Sequence, residues 1–343
     1  MVRPLRIAQI APIAAPIGPW STRSIEQLIY LQTEELVRRG HEVTLFATGD
    51  SRTSAALQAV YARSYEEDDD LGNWEFHEII NAEWAMRQAV RFDVIHSHAY
   101  HYALPFVRLV ATPVLHTYHI LPDDDIVPAY ARLGARVAAI SEYQRRAFRG
   151  VKNVAVVHHG IDTDAFPFSA ARGEYLLFLG RILPEKGADL AIRLARRVGM
   201  RLILAGTNDE NDDFFRSEIA PAIDDQKVRY VGPVAPAERN RLLAGAAALV
   251  YPIVEPEPFG LVLIEAMACG TPVLALAIGA VPEIVEAGVT GYRAPSVERL
   301  AELLPDVLRL DRARVRREAV RRFDYRRMVD HYEGLYRRLA GAG

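Results

Sequence analysis

The sequence predicts an α/β protein built from two doubly wound, Rossmann-like domains. Three observations carry that prediction. Short apolar runs alternate with amphipathic stretches, the alternation stops and restarts once near the middle, and 343 residues leave room for two separate cores. Alternation of this kind implies parallel sheets covered by helices on both faces.

In the first half, "RIAQIAP" (6–12), "HEVTLFA" (41–47), "FDVIHSH" (92–98), "TPVLHTYH" (112–119) and "RVAAIS" (136–141) read as strands. "SIEQLIYLQTEELVRRG" (24–40) reads as an amphipathic helix stopped by Gly40. The linker is expected in the segment that holds Asp162, Pro167 and Gly173, within and after "HHGIDTDAFPF" (158–168), where long apolar residues are few. The pattern then resumes with "EYLLFLG" (174–180), "RLILAG" (201–206), "KVRYVG" (227–232), "AALVYP" (247–252) and "TPVLAL" (271–276). From Leu310 an arginine-rich tail is predicted to be helical. Phe323, Met328, Tyr332 and Leu335 form its docked face, and its arginines a solvated one. The expected domains are 1–165 and 166–323, with a final helix over 324–343.

Composition narrows the function. A formal net charge of −3 argues against nucleic acid or an anionic membrane as the main partner. Cys269 is the single cysteine, so a disulfide framework or a cysteine metal site is not expected, and a reducing cytoplasm fits. The opening "MVRPLRIAQIAPIAAPIG" imitates a signal peptide, but Gln9, Pro12 and Pro16 interrupt it; a first strand running into a loop is the better reading. No stretch approaches the ~20 apolar residues of a membrane span. Of 41 basic residues, only Lys152, Lys186 and Lys227 are lysines, so a retained lysine marks a place that wants a compact ammonium.

Two stretches carry candidate chemistry. In "EPEPFGLVLIEAMACGTP" (255–272), prolines stiffen a loop after a strand, and a helix is expected from Phe259. Free amides near Phe259, Gly260 and Leu261 would then form an anion site. Glu257 and Glu265 flank that helix start, roughly 11 Å apart, suited to different parts of one elongated ligand. In "LFLGRILPEKGADLAIRLA" (177–195), Gly180 turns the chain. Arg181 and Lys186 then stand at a strand end beside another helix start, where they would grip phosphate. Ligands of open α/β sheets bind beyond the carboxyl ends of the strands, and two such domains facing each other would leave a cleft.

Other candidates are weaker. Asp-x-Asp triplets at 68–70 and 123–125 read as solvated acidic loops rather than metal sites. His119 is the best extra active-site histidine among His96, His116, His119, His158 and His159; His41 and Cys269 read as structural.

"RRGHEVTLFATGDS", "FDVIHSHAY", "HHGIDTDAF", "FLGRILPEKG", "EPEPFGLVLIEAMACGTPVLA" and "AVPEIVEAGVTGY" occur in that order along the chain. This set resembles the retaining glycosyltransferases of family 4, whose GT-B fold sets two Rossmann-like domains across a cleft. It is also similar to glycosyltransferases of avilamycin-type oligosaccharide antibiotic biosynthesis. The resemblance implies that Arg181 and Lys186 bind the diphosphate of a nucleotide-sugar donor, UDP-linked by preference. Glu265 would accept from the ribose hydroxyls, and Glu257 would face the donor sugar near its reacting carbon. Phe259, Gly260 and Leu261 would lie against phosphate and sugar, His98 would serve in the active site, and the base would rest near Gly180, Gly206 and Val234. It implies an acceptor-binding first domain, onto which the tail helix crosses back, and a donor-binding second domain. No cofactor is expected, and no metal is required where two cations meet the leaving group. The acceptor would be a small molecule or oligosaccharide.

One loop departs from the family pattern. Arg23 and Ser24 stand in "STRSIEQL" where a glycine pair usually precedes the first helix. Arg23 would either reach phosphate or narrow the pocket, and with Ser24 and His119 it is a candidate for acceptor contact. Two rival readings share the architecture: a sugar-nucleotide isomerase such as an epimerase, and a non-catalytic sugar-nucleotide binder.

Overall fold

A computed structural model describes residues 3–68, 71–208 and 213–341. The chain divides into two compact units: residues 1–160 with 325–343, and residues 161–324. Their boundary at 160/161 falls five residues before the expected 165/166 and just ahead of Asp162.

In the first unit the strands are β1 (Arg6–Ile10), β2 (Glu42–Phe46), β3 (Ala56–Gln58), β4 (Val94–Ser97), β5 (Val114–Thr117), β6 (Arg136–Ala139) and β7 (Asn153–Val156). All pair in parallel, in the order β3-β2-β1-β4-β5-β6-β7. Helix α1 (Ser24–Arg38) covers one face, where Ile29 meets Leu45 and Ala47. Helix α2 (Trp74–Met86) covers the other, where Ala82, Ala85 and Met86 meet Ile10, Phe46 and Ile95. Strand alternation sends Leu45 and Phe46 to opposite faces, and burying each such side chain contributes about 1.5–3 kcal/mol. Short helices α3 (Val127–Leu133) and α4 (Glu142–Ala147) join the later strands.

The second unit holds β8 (Tyr175–Leu179), β9 (Arg201–Ala205), β10 (Val228–Tyr230), β11 (Ala248–Tyr251), β12 (Val273–Leu276) and β13 (Gly291–Ala294). These are parallel in the order β10-β9-β8-β11-β12-β13. Its helices are α5 (Ala188–Val198), α6 (Pro236–Gly245), α7 (Leu261–Ala268), α8 (Val281–Ile284), α9 (Val297–Val307) and α10 (Arg312–Phe323). Leu176, Phe178, Leu202 and Leu204 pack with Ala191 and Ile192 of α5 and Leu300 and Leu304 of α9.

The tail from Leu310 is helical in two pieces, and the last falls where the helix over 324–343 was expected. Asp324 is extended (φ −65°, ψ 138°) and separates α10 from α11 (Tyr325–Leu339). Phe323 therefore belongs to the second unit, where its ring meets Phe259 at 6.1 Å. Met328, Val329, Tyr332 and Tyr336 form the buried face of α11, which packs on α1 in the first unit, while Leu335 is half-buried. The arginines are not all solvated either. Arg312 is buried and donates to the Ser169, Ala244 and Ala246 carbonyls, Arg316 donates to the Phe166 and Ala268 carbonyls, and Arg322 to those of Glu283 and Ile284. Carbonyls at helix ends lack partners, and a guanidinium fork supplies several donors at once.

Among the described residues, no helix is long and apolar enough to cross a membrane.

Candidate active site

In the second unit, β8 and β11 are neighbours although β9 and β10 come between them in the chain. The sheet grows outward from that pair in two directions, and ligands bind at the carboxyl ends flanking such a switch point. Both candidate stretches leave the sheet there.

The two loops are joined backbone to backbone. Val254 N–H donates to the Glu185 carbonyl at 2.9 Å. Gly187 has φ +72°, and a Cβ there would stand 2.2 Å from the Pro252 oxygen, so only glycine lets the loops close. The loop after β12 pins the other side: Ala280 N–H donates to the Glu257 carbonyl at 3.1 Å. The result brings Lys186 to Glu257. The Lys186 ammonium donates to Oε1 of Glu257, and the Tyr251 hydroxyl donates to Oε2. Both members of the ion pair are about a quarter exposed, at 21% and 26%. Burial, then Glu257, raises the Tyr251 pKa, so its hydroxyl stays a donor. Arg181 is exposed and makes no ion pair among the described residues.

Helix α7 begins at Leu261, two residues later than expected. Gly260 caps it in the left-handed conformation (φ +87°), against the Tyr251 hydroxyl, and a Cβ there would lie 2.8 Å from that oxygen. Phe259 is buried, which anchors the turn and leaves the α7 amides at the helix start. Glu265, in the middle of α7, is 8% exposed, and its Oε1 lies 3.3 Å from Arg239 Nη1. Burial raises its pKa, and Arg239 opposes that rise. Glu257 and Glu265 thus sit in different surroundings with different partners.

Gly180, Gly206 and the 231–234 turn also come together. Gly180 N–H donates to the Ala205 carbonyl at 3.0 Å, and Gly206 N–H to that of Gly232 at 2.9 Å. A Cβ on Gly206 would fall 1.8 Å from the Gly180 oxygen. Val234, at the end of that turn, is half-buried.

In the first unit the switch point lies between β1 and β4. His98 follows β4, is 2% exposed, and shares a hydrogen bond from Nδ1 to His119 Nε2 at 3.0 Å. His119 stacks on His159 at 5.3 Å. His96 bonds through Nδ1 to the Tyr336 hydroxyl at 2.6 Å and through Nε2 to Thr117 Oγ1 at 2.8 Å. Burial holds all these imidazoles neutral: His96, His98 and His159 well below 6.5, His116 down to about 4 and His119 to about 3. Arg23 forms a bidentate ion pair with Glu66, Nη1 to Oε1 at 2.6 Å. Both side chains of that pair are close to half exposed. Ser24 opens α1 at the surface.

Among the described residues, no three His, Cys, Asp or Glu side chains gather as a metal site; Asp69 and Asp70 lie outside them. Sequence reasoning missed Tyr251 and Arg239. Tyr251 had a readable signal as the last residue of a strand beside the key loop, whereas Arg239 is one of two arginines on α6, in a chain rich in them.

Residues 25–165 match the family described as Glycosyltransferase Family 4, and residues 163–322 that described as Glycosyl transferases group 1. The chain is 26% identical to a D-inositol 3-phosphate glycosyltransferase of Mycobacterium bovis, over 98% of this chain and 84% of that one. It is similar to the crystal structure of AviGT4, a glycosyltransferase involved in avilamycin A biosynthesis. There the identity is 25% and the TM-score 0.71, with 99% of each chain covered. It also shares its fold with the sucrose-phosphate synthase of Thermosynechococcus elongatus, at 21% identity and a TM-score of 0.78, over 99% of this chain and 100% of that one.

Proposed function

The chain belongs to the family 4 glycosyltransferases and has their GT-B fold, and from that premise we propose that it moves a sugar from a nucleoside diphosphate, UDP by preference, to a soluble acceptor with retention of configuration. The observation that carries this reading is the Lys186–Glu257 pair beside the start of α7. A diphosphate competing for Lys186 frees Glu257 to face the sugar. Lys186, Arg181 and the α7 amides then meet the charge that builds on the leaving diphosphate. The released carboxylate offsets positive charge at the reacting carbon, as carboxylates do in glycoside hydrolysis. Among the described residues Glu265 has one ion-pair partner, Arg239, and is short of donors, which suits two ribose hydroxyls. Same-face attack within an ion pair would give retention. Two cations at the leaving group make a metal unnecessary, so we expect turnover in EDTA.

The first unit would bind the acceptor and the second the donor. His98 would present its Nε2, with Nδ1 held by His119. The similarity to AviGT4 favours an oligosaccharide acceptor of the antibiotic type. The single buried cysteine suits the cytoplasm.

The test is a thermal-shift screen of UDP, GDP, ADP and TDP, followed by hydrolysis of the best nucleotide's sugar derivatives. Stabilisation by one diphosphate and release of sugar with its anomeric configuration kept are expected. The reading fails if no diphosphate stabilises the chain or if the anomer inverts. An epimerised nucleotide sugar formed from donor alone would favour the isomerase instead.

A further inference from the structure

The loop that leaves β1 at the first unit's switch point is tightly built. Ile17 N–H donates to Ser51 Oγ at 2.9 Å, Gly18 N–H to Ser21 Oγ at 3.0 Å, and Ser21 Oγ to the Pro16 carbonyl at 3.1 Å. The Trp20 ring lies against Gly18, where a Cβ would come within 2.8 Å of it, with the Arg52 guanidinium 5.4 Å from its centre. Beside this loop opens a cavity of about 190 Å³, walled by Ala15, Pro16, Trp20, Arg23, Glu26 and Glu67. Arg52 does not line it.

Glu26 is the unusual wall. It is 5% exposed, and it makes no ion pair among the described residues. Its carboxylate bonds to its own backbone amide. Arg23, the cation in the wall, is paired with both oxygens of Glu66 at the surface and also attracts Glu26. The cavity therefore offers a carboxylate short of donors, a second carboxylate in Glu67, an apolar ring edge, and one cation, Arg23, already paired to Glu66.

We propose that this cavity takes one uncharged, hydroxyl-bearing ring of the acceptor and turns away rings that carry phosphate. Hydroxyls donate to Glu26 and Glu67, supplying what the buried carboxylate lacks. The C–H face of such a ring packs on Trp20. A phosphate would instead face two carboxylates and compete with Glu66 for the one cation in the wall, and bringing unpaired like charges together is costly. The Arg23–Glu66 pair, in the place of the family's bare glycines, thus acts as a specificity element. This inference rests on the transferase reading and names the acceptor class within it.

Saturation-transfer NMR on the whole chain tests it, with methyl α- and β-glucopyranoside, methyl galactopyranoside, glucose 6-phosphate and myo-inositol 1-phosphate as probes. At least one methyl pyranoside should bind, and its affinity should fall about tenfold in Glu26→Gln, the scale of one hydrogen bond to a charged group. Trp20→Ala should also weaken it, and both phosphates should stay silent in the wild type. The proposal is overturned if no pyranoside responds, if both variants respond like wild type, or if a phosphorylated ring binds as well as a neutral one. Circular dichroism on each variant confirms folding. The UDP-induced thermal shift of the same wild-type sample reports on the parent reading. A normal shift with no pyranoside response sinks the subsite alone, and no shift sinks the transferase reading.

Discussion

The two sheets present their switch points with opposite electrostatics. In the second unit the groups are charged, about a quarter exposed and bonded to each other: Lys186 to Glu257, with Tyr251 on the free oxygen. In the first, His96, His98 and His119 are buried and neutral, tied to Thr117, Tyr336 and one another. An ion pair open to solvent on one side, as this one is, exchanges partners at less cost than a buried one, because solvent screens the charges while they separate. A buried imidazole does not take up a proton near pH 7, because desolvation opposes the charged form. The exchangeable charges beside a helix start therefore belong to the second unit, and the histidine cluster after β4 and β5 is fixed and uncharged.

The strongest way to break that division is Glu257→Gln. It removes a charge aimed at the reacting centre, so kcat should fall about 10²–10³-fold, the range for losing one electrostatic stabiliser. The melting temperature should barely move, because the pair is surface-screened. A fully active, folded variant would refute the role given to Glu257. Next in size is Lys186→Ala, which should weaken nucleoside diphosphate binding by about 1.5–3 kcal/mol, measured by calorimetry. If the affinity holds, Arg181 and the α7 amides carry the diphosphate without it.

Much of this was legible in the residues. The strands that a parallel sheet buries on both faces read as apolar runs, and ten were visible that way. β3, β7 and β13 were not, for local reasons. Ala56–Gln58 is a three-residue edge, Asn153–Val156 is no more than half-buried, and β13 opens on Gly291, whose absent side chain lets it approach the Val273 oxygen. Lys186 and Glu257 were visible because a scarce lysine and a carboxylate between prolines break local expectation. Their pairing was not, since it depends on the Val254–Glu185 bond and Gly187, contacts between loops 70 residues apart in sequence. The tail's last helix was expected over 324–343 and runs Tyr325–Leu339, while the extended backbone at Asp324, which interrupts the helical spacing, leaves no mark in the apolar pattern.

A smaller effect probes the buried side of the comparison. Glu78 on α2 is 1% exposed and accepts from Ile13 N–H at 2.9 Å, and burial raises its pKa to about 8. The unfolded chain loses this proton near 4.5. Between these values the folded chain holds the extra proton. The stability it contributes is full below 4.5 and is lost as pH rises to about 8. The histidines run the other way. For His119 and His116 the unfolded chain titrates near 6.5 and the folded chain at about 3 and 4, so stability is full above 6.5 and lost as pH falls. Glu78→Gln should therefore gain on wild type with rising pH, by up to about 1.4 kcal/mol per pH unit between 5 and 8. Urea unfolding at several pH values measures it, and an equal offset at every pH would show that Glu78 stays ionised in the fold.

The smallest expected change concerns how the histidine cluster is held. The Tyr336 hydroxyl, on α11, bonds both Gln32 Nε2 and His96 Nδ1 at 2.6 Å. Tyr336→Phe removes that oxygen and leaves the ring packed against Tyr332. Gln32 and His96 already lie 3.3 Å apart and can bond directly, so the loss should be about 1 kcal/mol in urea unfolding. His96 remains buried and neutral, so the dependence of stability on pH should keep its slope. Nucleoside diphosphate binding should be untouched, because α11 packs on α1 in the first unit. A weakened diphosphate affinity in this variant would show that the buried network reaches into charge handling, and the separation of roles between the two sheets would fail.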